Sequence, residues 1–328
     1  MKTHHLLYML SLLASSAQAL TWNLATGYRA DSFHTENLAQ FAREVEAKTG
    51  GELKIALHAN NSRVKLADMF SAVQTGQVEA GESILSGISK ELPIAGADSI
   101  PFVVDSYDDA LRLWRLQRPL LEQQMAARGV ILLYAVPWPP QGLYSNRPIH
   151  SATEFKTTRM RTYNATTVRI AEYLGAQTVD VPMPQVGTAL AERRIDNMIT
   201  SAVTGVENQV WTHLRHYYEM NAWFPKNAVY VHAPAWANLP PPLREALRAA
   251  ATAAEVRGWA RSQQLAREAA LRLRAQGMTV ERIPEDFERH LKRLGERFTR
   301  EWIHQVGHQA NDLFIPYFTE PRHTAKAP

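Results

Sequence analysis

The residues of this 328-residue chain that could do chemistry include histidines, carboxylates and arginines, but no cysteine. The absence of cysteine excludes disulfides, thiolate zinc sites, iron–sulfur clusters and thiol nucleophiles. The sequence also lacks the GxSxG, HExxH, Walker and GxGxxG patterns of common hydrolases and nucleotide-binding enzymes. His304 and His308 have the i, i+4 spacing of a metal-binding pair. No acidic third ligand accompanies them, so a partly exposed helix face is the better interpretation.

Two glutamates near a predicted strand could act as an acid/base pair. Glu79 and Glu82 are close in sequence, but a helix-to-strand boundary with one solvated glutamate explains them more simply. Glu82 stays a candidate ligand contact because it lies between Gly81 and Ser83 at the predicted end of a strand. Open α/β sheets bind ligands at the carboxyl ends of their strands.

Arg161 lies where a predicted strand ends and a helix is about to begin. Its planar guanidinium can hold a carboxylate through two parallel charge-assisted hydrogen bonds, a geometry that lysine cannot copy. On the residues alone, a surface ion pair remains the more common role for one of 36 Lys and Arg residues. Four aromatic residues near predicted strand ends could cover the apolar part of a ligand, although each could equally belong to the core: Trp138, Tyr163, Trp223 and Phe224.

The elements that would position these side chains alternate between strands and helices. Alternating or continuous apolar patterns predict strands at residues 20–26, 53–58, 78–85, 130–136, 159–162 and 178–181. Patterns with helical period predict helices at residues 37–48, 66–75 and 167–174. This order predicts an α/β fold with mainly parallel sheets. A predicted helix at residues 243–276 is about 50 Å long, so we expect it to lie across two domains.

Length and composition agree with a two-domain globular protein. The chain is 45% hydrophobic and 21% charged, which excludes a disordered or low-complexity protein. The formal net charge of +4 is too small to indicate a nucleic-acid partner.

The N-terminal segment predicts export. A lysine at position 2, an apolar run at residues 6–14 and the Ala-Gln-Ala sequence at residues 17–19 predict a signal peptide over residues 1–19, cleaved after Ala19. The apolar run is far shorter than the roughly 20 residues that cross a bilayer, so we do not expect a membrane-embedded protein. We expect a periplasmic location.

The segment at residues 155–201, FKTTRMRTYNATTVRIAEYLGAQTVDVPMPQVGTALAERRIDNMITS, resembles the solute-binding proteins of tripartite ATP-independent periplasmic (TRAP) transporters, the DctP-type family. The similar features are a basic–aliphatic–arginine strand end, a helix ending in Gly-Ala, a proline-containing strand and an Ala-Leu helix before an Asp turn. Similar pieces occur on both sides in the family's order, at residues 41–51, 73–78, 100–102, 146–149 and 236–247. The resemblance therefore covers nearly the whole chain after the N-terminal segment.

The resemblance implies a binding protein rather than an enzyme. Such a protein needs no cofactor and delivers an organic acid to the small and large membrane subunits of a TRAP permease. By the same resemblance, Arg161 would hold the ligand carboxylate, and Thr200 or Ser201 would present a polar side chain after the Asp turn. His34, in the loop that opens the first helix, is a further candidate contact.

One departure from the family bears on the ligand. Many relatives have a second basic residue where this chain has Gln141. Arg161 alone can neutralise only one carboxylate, because a second buried charge would stay unpaired at a cost of several kcal/mol. The sequence therefore predicts a monocarboxylate, and the four aromatic residues favour a bulky, aromatic or 2-oxo acid.

The combined prediction is an α/β, two-domain periplasmic binding protein fold of type II-like architecture, with crossing hinge strands and a long domain-spanning helix. We expect domain I at residues 20–145 plus 233–272, domain II at residues 146–232 plus 273–320, and a tail at residues 321–328. The hinge would lie near Asn146 and His232. An ABC-type or sensor-associated binding protein, or a periplasmic lyase or hydrolase, remains open because fold alone does not separate these functions.

Overall fold

A computed structural model describes residues 19–320, so most of the predicted signal peptide and the predicted tail lie outside the described residues. Eleven strands are found within that range. They are β1 (Leu20–Thr26), β2 (Leu53–His58), β3 (Ala80–Ile84), β4 (Val130–Pro137), β5 (Gln141–Ser145), β6 (Arg159–Thr162), β7 (Gln177–Asp180), β8 (Asn197–Ser201), β9 (His216–Glu219), β10 (Lys226–His232) and β11 (Thr279–Arg282).

Ten α-helices connect or cover the strands of the described range. They are α1 (Phe33–Lys48), α2 (Met69–Gln74), α3 (Tyr107–Ala126), α4 (Ala165–Leu174), α5 (Val186–Ala191), α6 (Ala202–Glu207), α7 (Ala233–Ala237), α8 (Pro241–Ala275), α9 (Glu285–Val306) and α10 (His308–Thr319). A 3-10 helix over Pro93–Ser99 lies between β3 and α3.

The strands form two sheets, and we call the parts of the chain built on them the first and second lobes. The first sheet has the order β2-β1-β3-β10-β4, and the second has the order β11-β9-β5-β8-β6-β7. Most neighbours run parallel, as the sequence predicts. The exceptions are β10, antiparallel to β3 and β4, and β5, antiparallel to β8 and β9. Strands β5 and β10 are the strands by which the chain enters a sheet from the other lobe. Each therefore runs in the direction opposite to its neighbours in the sheet.

The crossings differ in position from the predicted hinge. Strand β5 pairs with β8 and β9 in the second sheet, although the expected boundary at residue 145 assigns it to domain I. Strand β10 pairs with β3 and β4 in the first sheet, although the expected boundary at residue 232 assigns it to domain II. The chain therefore crosses at residues 138–140 and 220–225, and we propose these segments as the domain boundaries. Local pattern could not show this, because sheet membership depends on distant pairing partners.

The long helix α8 joins the lobes, as expected. It has 35 residues and packs on α1 and β4 of the first lobe and on α6 and β11 of the second. Close packing on the first sheet requires a glycine at position 258, since a Cβ there would lie 2.4 Å from the Val136 side chain. No helix within residues 19–320 combines the length and apolar character needed to span a bilayer.

Candidate functional site

A cavity of about 270 Å³ lies between the two lobes. The first lobe lines it with Tyr28, Leu66, Ala67, Ser83, Ile84, Gly87 and Ile88. The second lobe contributes Arg161, Tyr163, Asp180, Pro182, Met183, Thr200 and Thr204. Trp138 and Pro225, in the two crossings, and Gln141, at the start of β5, complete the lining. The cavity is therefore bounded by both lobes and by the segments that join them.

The position of Arg161 follows from the strand–turn–helix that contains it. Strand β6 lies between β7 and β8, with Arg161 opposite Val179 and Met198. The strand must stop there because Asn164 caps α4, its side chain accepting from the Thr167 amide at 2.9 Å. Arg161 therefore emerges at the carboxyl end of a central strand, where parallel sheets bind ligands.

The guanidinium of Arg161 is buried but has no anionic partner. The side chain is 2% exposed, and its Nε donates to the Val181 carbonyl at 2.8 Å. Its Cζ atom lies 4.6 Å from the centre of the Tyr163 ring. Burial lowers the pKa of Arg161 to about 10, while Tyr163, Tyr28 and Asp180 partly oppose that effect. Among the described residues, no carboxylate forms an ion pair with Arg161, which lies on the lining of the cavity.

Gln141 and Tyr163 give the same end of the cavity neutral hydrogen-bonding groups. The Tyr163 hydroxyl donates weakly to Gln141 Oε1 at 3.4 Å, and Gln141 Nε2 donates to the Pro139 carbonyl at 2.9 Å. Burial raises the pKa of Tyr163 to about 12, although Arg161 and Trp223 lower it in part. The phenol is therefore neutral at physiological pH, and the positive charge at this end of the cavity comes from Arg161.

Five of the ten predicted site residues line the cavity, namely Arg161, Gln141, Trp138, Tyr163 and Thr200. The other five lie outside its lining, namely His34, Glu82, Ser201, Trp223 and Phe224.

Glu82 and His34 lie behind the cavity wall. Ser83 and Ile84, at the carboxyl end of β3, line the cavity, whereas Glu82 lies one residue earlier, within the first lobe. There Glu82 accepts from the Thr26 hydroxyl at 2.7 Å and lies 3.4 Å from His34 Nδ1. The His34 ring in turn packs on Trp138, with 4.3 Å between ring centres. The pair therefore supports the wall rather than contacting a ligand in the cavity.

Ser201, Trp223 and Phe224 have structural contacts. Ser201 caps α6 by accepting from the Thr204 amide at 3.2 Å. Trp223 is buried among apolar residues of the second lobe. Phe224 packs edge-on against Tyr107 in the first lobe, with 5.0 Å between ring centres. The positions of Trp223 and Phe224 follow from the path of the second crossing, which local sequence does not show.

Several lining residues were not predicted from the sequence. Tyr28 follows the end of β1, Ile84 ends β3, and Asp180 ends β7. All three lie at or just after the carboxyl ends of parallel strands, and that common position could have identified them from the sequence. Among residues 19–320, no group of three His, Asp or Glu side chains is arranged to hold a metal ion.

Two α/β lobes joined by two crossing segments, with a lined cavity between them, are the architecture of two-lobed solute-binding proteins. Residues 24–305 match the family model of DctP, bacterial extracellular solute-binding protein family 7, and the chain belongs to that family. The resemblance to TRAP solute receptors is thereby confirmed. The members are transport receptors, which confirms the expectation of a binding protein rather than an enzyme.

Two solved structures are similar over almost the whole chain. One is DctP6 of Bordetella pertussis, an extracytoplasmic solute receptor binding pyroglutamic acid, at 35% identity and a TM-score of 0.89. The other is a TRAP solute-binding protein from a marine metagenome, specific for pyroglutamate, at 34% identity and a TM-score of 0.89. The similarity covers 92% of this chain in both cases, and 100% and 99% of those chains.

A curated relative matches over a shorter stretch. A solute-binding protein of Albidiferax ferrireducens is 23% identical over 175 residues. That match spans 52% of this chain and about half, 51%, of the relative.

Proposed function

We propose that this chain is the periplasmic receptor of a TRAP transporter that captures a small, compact monocarboxylate and delivers it to a membrane permease. In this proposal the chain is exported and residues 1–19 are removed. The ligand enters between the lobes, contacts both of them, and stabilises the arrangement that the permease recognises.

The observation that carries the proposal is the unpaired, buried guanidinium of Arg161 at the cavity. A buried cation is costly unless a partner neutralises it, so the site is matched to one anion. A carboxylate suits it, because a guanidinium and a carboxylate can share two parallel hydrogen bonds. Gln141 is uncharged and 3% exposed, so it supports binding of one carboxylate and not two.

The size and lining of the cavity favour a smaller acid than the four predicted aromatic residues suggested. Its volume of about 270 Å³ is small for a ligand pocket. Trp223 and Phe224 do not line it, which leaves Trp138 and Tyr163 of the original four. A compact, ring-shaped monocarboxylate therefore fits better than a bulky aromatic acid.

The ligand that we propose is pyroglutamate or a close analogue. The two receptors described above are 34–35% identical to this chain, and both bind pyroglutamate. The lactam ring of such an acid offers one N–H donor and one carbonyl acceptor besides its carboxylate. Ser83, Gln141, Asp180 and Thr200 supply hydroxyl, amide and carboxylate groups on the lining that can pair with them.

A titration of the purified protein tests this proposal. Tryptophan fluorescence or calorimetry would measure binding of L-pyroglutamate, phenylpyruvate, succinate and D-glucuronate, and mass spectrometry would identify any acid released on denaturation. We expect L-pyroglutamate to bind in the micromolar range or tighter, and more tightly than phenylpyruvate. Micromolar binding of the dicarboxylate succinate or of the sugar acid D-glucuronate, without binding of L-pyroglutamate or phenylpyruvate, would contradict the proposal.

A further inference from the structure

Asn227 is a buried polar residue that lies behind the cavity wall without lining it. It is 1% exposed and belongs to β10, opposite Ile84 of β3 and Val136 of β4. A central strand position between two other strands normally carries an apolar side chain. An amide there needs a specific explanation.

The amide oxygen of Asn227 holds two aromatic residues that do line the cavity. Asn227 Oδ1 accepts from the Trp138 indole N–H at 2.8 Å and from the Tyr28 hydroxyl at 3.2 Å. The indole can only donate, so the orientation of the amide is fixed with its oxygen toward the rings. Three segments distant in sequence therefore meet at one oxygen atom: the loop after β1, the first crossing and the start of β10.

Within the part of the chain that the structure describes, the other half of the amide has no protein contact that would explain an asparagine at this position. Asn227 Nδ2 is buried and has no hydrogen-bond partner among the described residues. An unpaired buried donor is destabilising, and an apolar residue would avoid that cost. An apolar residue would, however, leave the indole and the phenol without their common acceptor.

We propose that Asn227 is a positioning residue that sets the shape of the cavity wall and thereby decides which acids fit. It acts through Trp138 and Tyr28, which it holds at fixed positions on the lining. This inference rests on the proposed function for its ligand, since it concerns selection among monocarboxylates by the same cavity. Asn227 belongs neither to the family motif around Arg161 nor to the lining of the cavity.

The test compares Asn227→Ala with Asn197→Ala. Asn197 is a matched control, because it is also 1% exposed and in a sheet, and one half of its amide is also unpaired. Its Nδ2 donates to Thr158 Oγ1 at 2.9 Å, and neither residue lines the cavity. Both variants should lose stability, and only Asn227→Ala should alter ligand selection.

Calorimetry with L-pyroglutamate and phenylpyruvate provides the first measurement. Two lost hydrogen bonds to wall residues should weaken L-pyroglutamate binding about tenfold in Asn227→Ala and reduce its preference over phenylpyruvate. The same substitution in a Tyr28→Phe, Trp138→Phe background should have a much smaller effect, because the rings no longer donate. An equal effect in both backgrounds, or an equal change of preference in Asn197→Ala, would overturn the inference.

Hydrogen exchange of the Trp138 indole N–H provides a second measurement that needs no ligand. NMR of wild type and Trp138→Phe assigns the resonance. We expect slow exchange in wild type and Asn197→Ala and faster exchange in Asn227→Ala. Unchanged exchange in Asn227→Ala would overturn the inference even if pyroglutamate binds. If wild type binds no monocarboxylate but the exchange result is as expected, the proposed function fails and the positioning role of Asn227 stands.

Discussion

Within residues 19–320, each lobe buries one Lys or Arg side chain, and the two differ in their partners. Lys226 begins β10 in the first sheet, and its Nζ lies 3.6 Å from Asp98 Oδ2. Asp98 also accepts from the Lys226 amide at 2.7 Å and from the Ser99 hydroxyl at 3.1 Å. Burial lowers the pKa of Lys226 and raises that of Asp98, while their mutual attraction opposes both effects. Arg161, in the second sheet, has no such carboxylate.

Lys226 pairs with a carboxylate of the protein, whereas we propose that Arg161 pairs with the carboxylate of the ligand. The Lys226–Asp98 pair connects the returning crossing strand to the 3-10 helix of the first lobe, and each charge has an opposite charge of the protein 3.6 Å away. Arg161 keeps its charge available at the cavity. Substitution of Lys226 should therefore lower the stability of the fold, whereas substitution of Arg161 should lower the affinity for the ligand.

The largest effect is expected for Lys226→Met. Removing one member of a buried ion pair leaves the other unpaired, so the free energy of unfolding should fall by about 3–5 kcal/mol. The double variant Lys226→Met, Asp98→Asn should recover much of that loss, because neither charge remains. Urea denaturation of the wild type and both variants measures this. If the single variant is as stable as wild type, the pair does not hold the crossing.

Arg161→Ala should have a somewhat smaller effect, and on affinity rather than stability. Losing a charge-assisted pair with the ligand should weaken binding by about 2–5 kcal/mol. Stability should be unchanged or higher, because an uncompensated buried cation is removed. Arg161→Lys should recover only part of the affinity, since lysine lacks the two-pronged geometry.

Arg159→Ala is the control for that experiment. Arg159 lies two residues earlier on β6, is 41% exposed at its side chain and pairs with Asp196 at 2.9 Å, away from the cavity. We expect the Arg159→Ala variant to bind L-pyroglutamate in calorimetry with the same affinity as wild type. A similar loss of affinity in both variants would show that strand β6, and not the Arg161 charge, accounts for binding.

The smallest effect is expected from pH. The pKa of Arg161 is about 10, so its charge, and with it carboxylate affinity, should stay constant at neutral pH and fall as pH rises above about 10. Burial keeps the pKa values of Tyr28 and Tyr163 higher, so those phenols remain neutral there. The Arg161 pKa is lower when folded than when unfolded, so its deprotonation favours the folded chain. A loss of affinity above pH 10 is therefore not a loss of stability from this group.

Calorimetry across this range, with Arg161→Lys as the comparison, measures the effect. A buried ammonium loses its proton more readily than a guanidinium, so affinity in the lysine variant should begin to fall at a lower pH. The same pH profile for both proteins would mean that a different group titrates.

Regular structure could be predicted from the sequence because its signals are local. The apolar run at residues 130–136 predicts a buried strand, and β4 occupies Val130–Pro137. The long apolar and charged pattern at residues 243–276 predicts one helix, and α8 occupies Pro241–Ala275. Arg161 could be found because a family motif places it at the end of a strand.

The side of the cavity on which a residue lies could not be predicted in the same way. Glu82 and Ser83 are adjacent in sequence, yet only Ser83 lines the cavity. Trp223 and Phe224 are adjacent at the second crossing, yet they pack in different lobes. A shift of one residue in a strand or crossing reverses the direction of a side chain, and no local pattern fixes it.

The sequence by itself therefore determined the alternation of strands and helices, the family, and the arginine at position 161. The tertiary structure alone decided the sheet membership of β5 and β10 and the set of residues around the cavity. It also brought Asn227 within 3.2 Å of Tyr28, 199 residues away in the chain. The physical reason is that helix and strand patterns arise from neighbouring residues, whereas the cavity is formed by pairing between segments that have no common local signal.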